Sequence, residues 1–173
     1  MTQTSSESTQ RPFVITRLLD APREVVWKCW TEREHMQWWG PKGVATEIKQ
    51  LELRPGGICL YCMRTPDGHQ IWGKWVIREV AKPARLVFVN SFSDADGGLT
   101  RHPMNPNWPL EMLSTVTFET QGSKTLLTIQ WLPINATEVE RKTFDDSHAS
   151  MQGGWSGSLD QLTDYLAAQP KAQ

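Results

Sequence analysis

The sequence predicts an α+β fold in which an antiparallel sheet of about seven strands packs on one long C-terminal helix, with two short helices after the first strand. Three observations carry this prediction. From Thr46 to Leu132 apolar residues recur with period two, interrupted only by short turn signals. From Phe144 to Leu166 the period changes: Phe144, His148, Met151, Trp155, Leu159, Leu162 and Leu166 follow a three-four spacing that gathers them on one helical face. Between Phe13 and Gly40, one β-rich run is followed by two helical patterns before any further strand.

The first strand is Phe13 to Leu19. Asp20-Ala21-Pro22 ends it, with Asp20 placed to cap and Pro22 to begin a helix that turns Val25, Val26 and Trp30 inward. Thr31 and Glu34 have capping-box spacing and predict a second short helix through Trp38, stopped by Gly40-Pro41-Lys42-Gly43. Strands then follow at Thr46 to Leu53, Ile58 to Thr65, Ile71 to Val80, Leu86 to Ser93, Met112 to Glu119 and Thr125 to Leu132. Their links, Pro55-Gly56-Gly57, Pro66-Asp67-Gly68, Ala81-Lys82-Pro83 and Gln121-Gly122-Ser123, suit an antiparallel meander. Thr137 and Glu140 form another capping box, opening the helical C-terminal region.

The C-terminal helix, at about 30 Å for twenty-odd residues, is long enough to span such a sheet. Gly153, Gly154 and Gly157 lie inside it, each costing about 1 kcal/mol relative to Ala. Either the helix backbone packs closely on the sheet, or the missing side chains leave room for a ligand beneath Trp155.

Alternation assigns the face that meets the helix. It carries Tyr61 and Met63, Trp75 and Ile77, Phe88, Asn90 and Phe92, Met112, Ser114 and Val116, and Leu127, Ile129 and Trp131. Asn90 and Ser114 among these aromatics, with Arg64 and His148 nearby, need hydrogen-bond partners if buried, either as a satisfied core pair or as groups that orient a ligand. The segment Asp94 to Pro109 is longer than most strand connections and reads as a lid, with Trp108 closing a cavity mouth or plugging the sheet edge.

Composition bounds the function. With 173 residues, 39% of them hydrophobic and 21% charged, residues 12–169 make one globular domain behind a polar, disordered tail over residues 1–11. Eighteen basic against nineteen acidic residues, without like-charge runs, argue against nucleic acid. No apolar run reaches membrane-span length and no signal-peptide core is present, so the cytoplasm is the expected location. Three cysteines fit free thiols in a reducing compartment. Cys59 and Cys62 form a CxxC, but on a strand they point to opposite faces and lack completing ligands, so no metal is expected.

No HExxH, GxSxG, P-loop or dinucleotide fingerprint occurs, which leaves His148 as the one candidate for acid–base work, although a lone histidine on an inward helix face is more often a core residue with one backbone partner. His35, His69 and His102 fall at a helix end, a turn and a loop, where solvent is expected. Nine tryptophans are the compositional anomaly. Trp27, Trp30 and Trp38 read as packing residues; Trp39, Trp75, Trp108 and Trp155 read as pocket residues. With Tyr61, Met63, Phe88, Asn90, Phe92, Met112, Ser114, His148 and Met151 they make the candidate ligand-binding set. An aromatic-lined cavity favours planar or amphipathic apolar ligands over sugars or free phosphates.

Several motifs in order resemble one family: Leu19-Asp20-Ala21-Pro22 with Val26-Trp27 and Trp30-Thr31, Trp38-Trp39-Gly40-Pro41, Arg54-Pro55-Gly56-Gly57, Pro83 with Arg85-Leu86-Val87-Phe88, and Met151-Gln152-Gly153-Gly154-Trp155. They look like the activator-of-heat-shock-protein-90-ATPase homologue family of the START-like helix-grip superfamily, also called SRPBCC. The resemblance covers Phe13 to Leu166. It implies a curved antiparallel sheet gripping the C-terminal helix around a cavity, in the order strand, two helices, six strands, helix. It also implies a choice of roles, because the superfamily holds hydrophobic-ligand carriers, proteins of stress response or sequestration, chaperone activators, and polyketide cyclases and aromatases. The reading drawn is a non-catalytic binder of a small hydrophobic or aromatic molecule. A chaperone-associated accessory protein and a cyclase-like enzyme are the alternatives. The partners implied are a small hydrophobic molecule, a chaperone and a second copy in a homodimer; no cofactor is implied.

Overall fold

The computed structural model describes residues 11–40 and 43–169. Nearly all of the expected N-terminal tail and the Pro41-Lys42 half of the helix stop lie outside them. The chain runs β1 (Phe13–Leu19), α1 (Arg23–Thr31), a 3-10 turn (Arg33–His35), β2 (Ala45–Leu51), β3 (Ile58–Arg64), β4 (Gln70–Ala81), β5 (Arg85–Ser93), β6 (Leu99–Thr100), β7 (Glu111–Gln121), β8 (Lys124–Ile134), α2 (Glu138–Asp146) and α3 (His148–Ala168). The fold is α+β, with one antiparallel sheet in the order β1-β8-β7-β5-β4-β3-β2 and β6 attached to β5.

Register agrees with the predicted alternation. Tyr61 faces Gly73, Trp75 faces Asn90, Ile77 faces Phe88, Ser114 faces both Phe88 and Trp131, and Val116 faces Ile129. Phe13 and Ile15 of β1 join the same face opposite Trp131 and Ile129. Register shifts between Ile48 and Gln50 and between Ile77 and Glu79 mark bulges in β2 and β4, which bend a sheet around whatever its inner face holds. At the second bulge Gly56 donates to the Ile77 carbonyl at 2.8 Å and Ile77 donates to Gly57 at 2.8 Å, extending the pairing through the Pro55-Gly56-Gly57 turn. A side chain at Gly57 would collide with the Glu52 and Arg54 carbonyls, which is why this turn ends in glycine.

β5 serves two partners along its length. β7 pairs with it only as far as Asn90 opposite Met112, and β6 pairs with Phe92 and Ser93 beyond that point. The inner face therefore opens at Asn90 and Phe92, where the chain between β6 and β7 passes over it.

Several local expectations are corrected. The long helix breaks at Ser147, whose backbone (φ −101°, ψ 4°) leaves the helical range; Phe144 belongs to α2, while His148 to Leu166 lie in α3. Thr137 caps α2 by accepting from the Glu140 amide at 3.2 Å, as the capping spacing predicts. At α1 the N-cap is Pro22 itself, whose carbonyl accepts from Val25 and Val26, and no side chain caps this end, so Asp20 does not do so. The second short helix is a 3-10 helix with Glu32 at its N-cap and is not opened by Thr31. The Thr31 hydroxyl donates back to the Trp27 carbonyl at 2.8 Å inside the last turn of α1, and the chain continues into a single 3-10 turn. Arg64 points away from the inner face and pairs with Glu47 at 3.7 Å.

The glycines of α3 are not close-packing devices. A Cβ at Gly153, Gly154 or Gly157 would meet nothing within 4 Å. The helix lies on the sheet through Met151, Trp155, Leu159 and Leu162, all buried.

Candidate functional site

Trp30 is the post around which the aromatic interior is arranged. Fully buried, it stacks on Trp75 at 6.2 Å and on Trp155 at 6.3 Å, and meets Trp38, Trp39 and Phe118 edge-on. Trp39 follows α1 in an irregular stretch that α3 clamps: Gln161 Nε2 donates to the Gly40 carbonyl at 2.6 Å and to the Trp38 carbonyl at 3.3 Å, and Ser158 Oγ donates to Gly40 at 3.1 Å. Thr46 Oγ1 donates to the Trp39 carbonyl. So anchored, the Trp39 ring stands edge-on to Trp75 and Trp155.

In front of this aromatic block lie two adjoining cavities. The first, about 390 Å³, is lined by Trp39, Tyr61, Asn90, Ser91, Phe92, His102, Asn105, Trp108, Pro109, Leu110, Met112, Trp131, Ser147, Ser150 and Met151. The second, about 360 Å³, runs along α3 between Trp39, Gly40, Met63, His102, Trp131, Met151, Gly154, Trp155 and Ser158. They share Trp39, His102, Trp131 and Met151. Each alone falls in the size range of small-molecule sites, roughly 300–1,000 Å³.

The chain between β5 and β7 roofs the first cavity. Trp108 lies 6.0 Å from Phe144, Arg101 pairs with the buried Glu140 of α2 at 3.6 Å, and the His102 ring packs edge-on to Phe92 at 4.9 Å and Trp108 at 6.2 Å.

Electrostatically the site is neutral. Among the described residues, no Asp, Glu, Lys or Arg lines either cavity. Burial, with Cys59 nearby, pushes the Tyr61 hydroxyl well above its ordinary range, and burial pulls the His102 imidazole below its ordinary value. Both groups are held in their uncharged forms near neutral pH. The other polar groups on the lining residues are the Asn90 and Asn105 amides, serine hydroxyls, the tryptophan indole N–H groups and main-chain atoms. Ser114, wholly buried, donates to Asn90 Oδ1 at 2.8 Å and so sets the amide's orientation.

Nine of the sequence candidates line this space: Trp39, Tyr61, Met63, Asn90, Phe92, Trp108, Met112, Met151 and Trp155. Four do not. Trp75 and Phe88 stack on each other at 4.1 Å as a second layer behind Trp39, and Ser114 is reached only through Asn90. His148 is held edge-on between Phe13 at 5.8 Å and Phe144 at 5.1 Å, with Arg11 at 3.4 Å from Nδ1, and touches neither cavity. His102 is the main residue that sequence reasoning missed, because its loop position suggested solvent and only tertiary packing on Phe92 carries it inward. Trp131 was legible on the inner face but not as a wall. His35 is likewise not free in solvent: its Nδ1 lies 2.6 Å from the Tyr165 hydroxyl.

Cys29, Cys59 and Cys62 are free and buried, and burial pushes the Cys29 and Cys59 thiols up to about 12. Among the described residues no group of three or more His, Cys, Asp and Glu side chains could hold a metal ion, and no helix is long and apolar enough to cross a membrane.

The family model described as activator of Hsp90 ATPase homolog 1-like protein matches residues 20–167. Among solved structures, a crystal structure of a Mycobacterium smegmatis protein is similar at 25% identity, covering 93% of each chain with a TM-score of 0.73. A solution structure from Arthrobacter aurescens is similar at 25% identity, covering 95% of this chain and 90% of that one, with a TM-score of 0.76. A crystal structure titled as the AHSA1 protein of Silicibacter pomeroyi shares the fold at 19% identity, covering 91% of this chain and 98% of that one, with a TM-score of 0.68. No curated protein matches the chain significantly.

Proposed function

Because the chain belongs to the activator of Hsp90 ATPase homolog 1-like family, a family on the START-like fold, we propose that it works through its interior: it binds a small hydrophobic or aromatic molecule between the sheet and α3. The observation that carries this reading is the space in front of Trp39, walled by Tyr61, Phe92, Trp108 and Trp131 and free of charged side chains among the described residues. Aromatic walls offer large apolar contact with little side-chain freedom to lose, which suits a planar occupant. The roof formed by His102 and Trp108 rests on α2 and β5 through a few contacts, so it is the part that can part to admit a ligand.

Native mass spectrometry of gently purified protein tests the proposal. A retained small molecule, released on denaturation, is the expected result, and the same spectrum reads whether the protein is a homodimer. A protein that is apo as purified and whose melting temperature no apolar aromatic compound raises would overturn it.

The family's printed description supplies a second reading, an accessory protein of the Hsp90 chaperone. It predicts that adding this protein raises the chaperone's ATPase rate, and an unchanged rate would remove it. The cyclase-like enzyme has less behind it. His148, its one candidate base, is packed between two phenylalanines and lines neither cavity.

A further inference from the structure

The proposed binding role leaves the occupant's chemistry open, and the cavity's hydrogen-bonding groups narrow it. Ser114 Oγ is wholly buried, and Asn90 is the only acceptor for its hydroxyl among the described residues. Were the Asn90 amide turned the other way, Nδ2 would donate to Ser114 and the serine proton would have nowhere to go. The hydroxyl therefore donates to Oδ1, and Asn90 Nδ2, which makes no protein hydrogen bond among the described residues, is left for the cavity that Asn90 lines.

His102 is oriented by the same logic. Its Nδ1 accepts from the Met104 amide at 2.9 Å, which places the proton of the neutral ring on Nε2. That N–H has no protein acceptor among the described residues, and the ring lines both cavities. Asn90 and Phe92 are successive residues on the inner face, about 7 Å apart, and His102 packs on Phe92. Two donors thus stand along one aromatic wall, and no cation accompanies them.

We infer that the occupant is an uncharged aromatic carbonyl compound, a ketone or quinone, whose carbonyl oxygens accept hydrogen bonds from Asn90 Nδ2 and His102 Nε2. A carboxylate or phosphate would bring a charge into a site with nothing to pair it. A pure hydrocarbon would offer neither donor a partner and would displace the water that could otherwise serve them.

Three probes of one shape test this by equilibrium dialysis: 2-acetonaphthone, 2-isopropenylnaphthalene and 2-naphthoate. The wild-type protein is expected to bind the ketone and the hydrocarbon, and the naphthoate at least about a hundredfold more weakly than the ketone. Asn90→Leu combined with Ser114→Ala, which leaves no orphan hydroxyl, is expected to lower the affinity for the ketone about tenfold relative to that for the hydrocarbon. Independently of any variant, the carbonyl stretch of wild-type-bound 2-acetonaphthone should lie below its frequency in dry hydrocarbon. Naphthoate binding as tightly as the ketone, equal losses for ketone and hydrocarbon, or an unshifted carbonyl band would each overturn the inference while leaving apolar binding intact. Failure of all three probes to bind would overturn the inference and the binding role together.

Discussion

Tyr61 of β3 and Gly73 of β4 face each other across the sheet, and the phenol ring lies in the space a side chain at Gly73 would occupy, with Cζ only 2.5 Å from an added Cβ. The glycine thus lets an aromatic ring lie flat along the inner face, where it forms one wall of the first cavity. An interior glycine normally weakens a strand. At this position it shapes the binding space.

Gly73→Ala should therefore destabilise the protein by about 1–3 kcal/mol, although alanine is the better strand residue. With Tyr61→Ala already in place the same change should be neutral or stabilising. Urea unfolding of the four variants measures the coupling, and simple additivity would show that the ring is free to move aside.

Gly153 and Gly154 make the opposite prediction. No atom lies within 4 Å of a Cβ at either, so each alanine should stabilise the helix by about 0.5–1 kcal/mol. Gly154 lines the second cavity and Gly153 lines neither. Thermal unfolding should rank both alanine variants above wild type, while only Gly154→Ala weakens binding of an aromatic probe. Destabilisation by both would restore the close-packing account of these glycines.

What the sequence revealed and what it concealed divide by range. Strand register was legible because alternation is local and one slip would put Trp75 or Ile129 in water. The break at Ser147 was not, since Phe144, His148 and Met151 keep helical spacing across it and neither glycine nor proline marks it. Ser147 instead turns its hydroxyl back onto the Thr143 carbonyl at 2.7 Å, a bond serine can make within a helix or at its end. The capping spacing at Thr137 told the truth and the same spacing at Thr31 did not, because a buried hydroxyl beside Trp27 found a nearer acceptor. His102 depended on where a long loop lands, which no local pattern encodes.

The clamp on Trp39 is testable through Gln161. Replacing it with Leu removes two hydrogen bonds to the Trp38 and Gly40 carbonyls and keeps the side-chain volume, leaving Ser158 as the remaining α3 donor to Gly40. Stability should fall by about 1–2 kcal/mol. Affinity for an aromatic probe should fall with it, because Trp39 borders both cavities. A stability loss without any loss of affinity would show that ring packing alone fixes Trp39.

The roof should respond to acid through His102. Burial lowers its pKa from the ordinary 6.5, so below that value the unfolded chain binds a proton more readily than the folded one. Stability from the neutral ring is then present above about pH 6.5 and lost as pH falls through the lower folded value. The geometry points the same way, because a protonated Nδ1 could not accept from the Met104 amide and would set its own N–H against the Met104 N–H. His102→Asn keeps an acceptor near Nδ1 and cannot titrate, so it isolates this contribution from the other histidines. Urea midpoints measured from about pH 8 to about pH 5 should fall more steeply for wild type than for His102→Asn, with cleavage in the Asp94 to Pro109 segment accelerating over the same interval in wild type only. Parallel pH profiles for the two proteins would mean that the His102 ring is solvated on its loop after all.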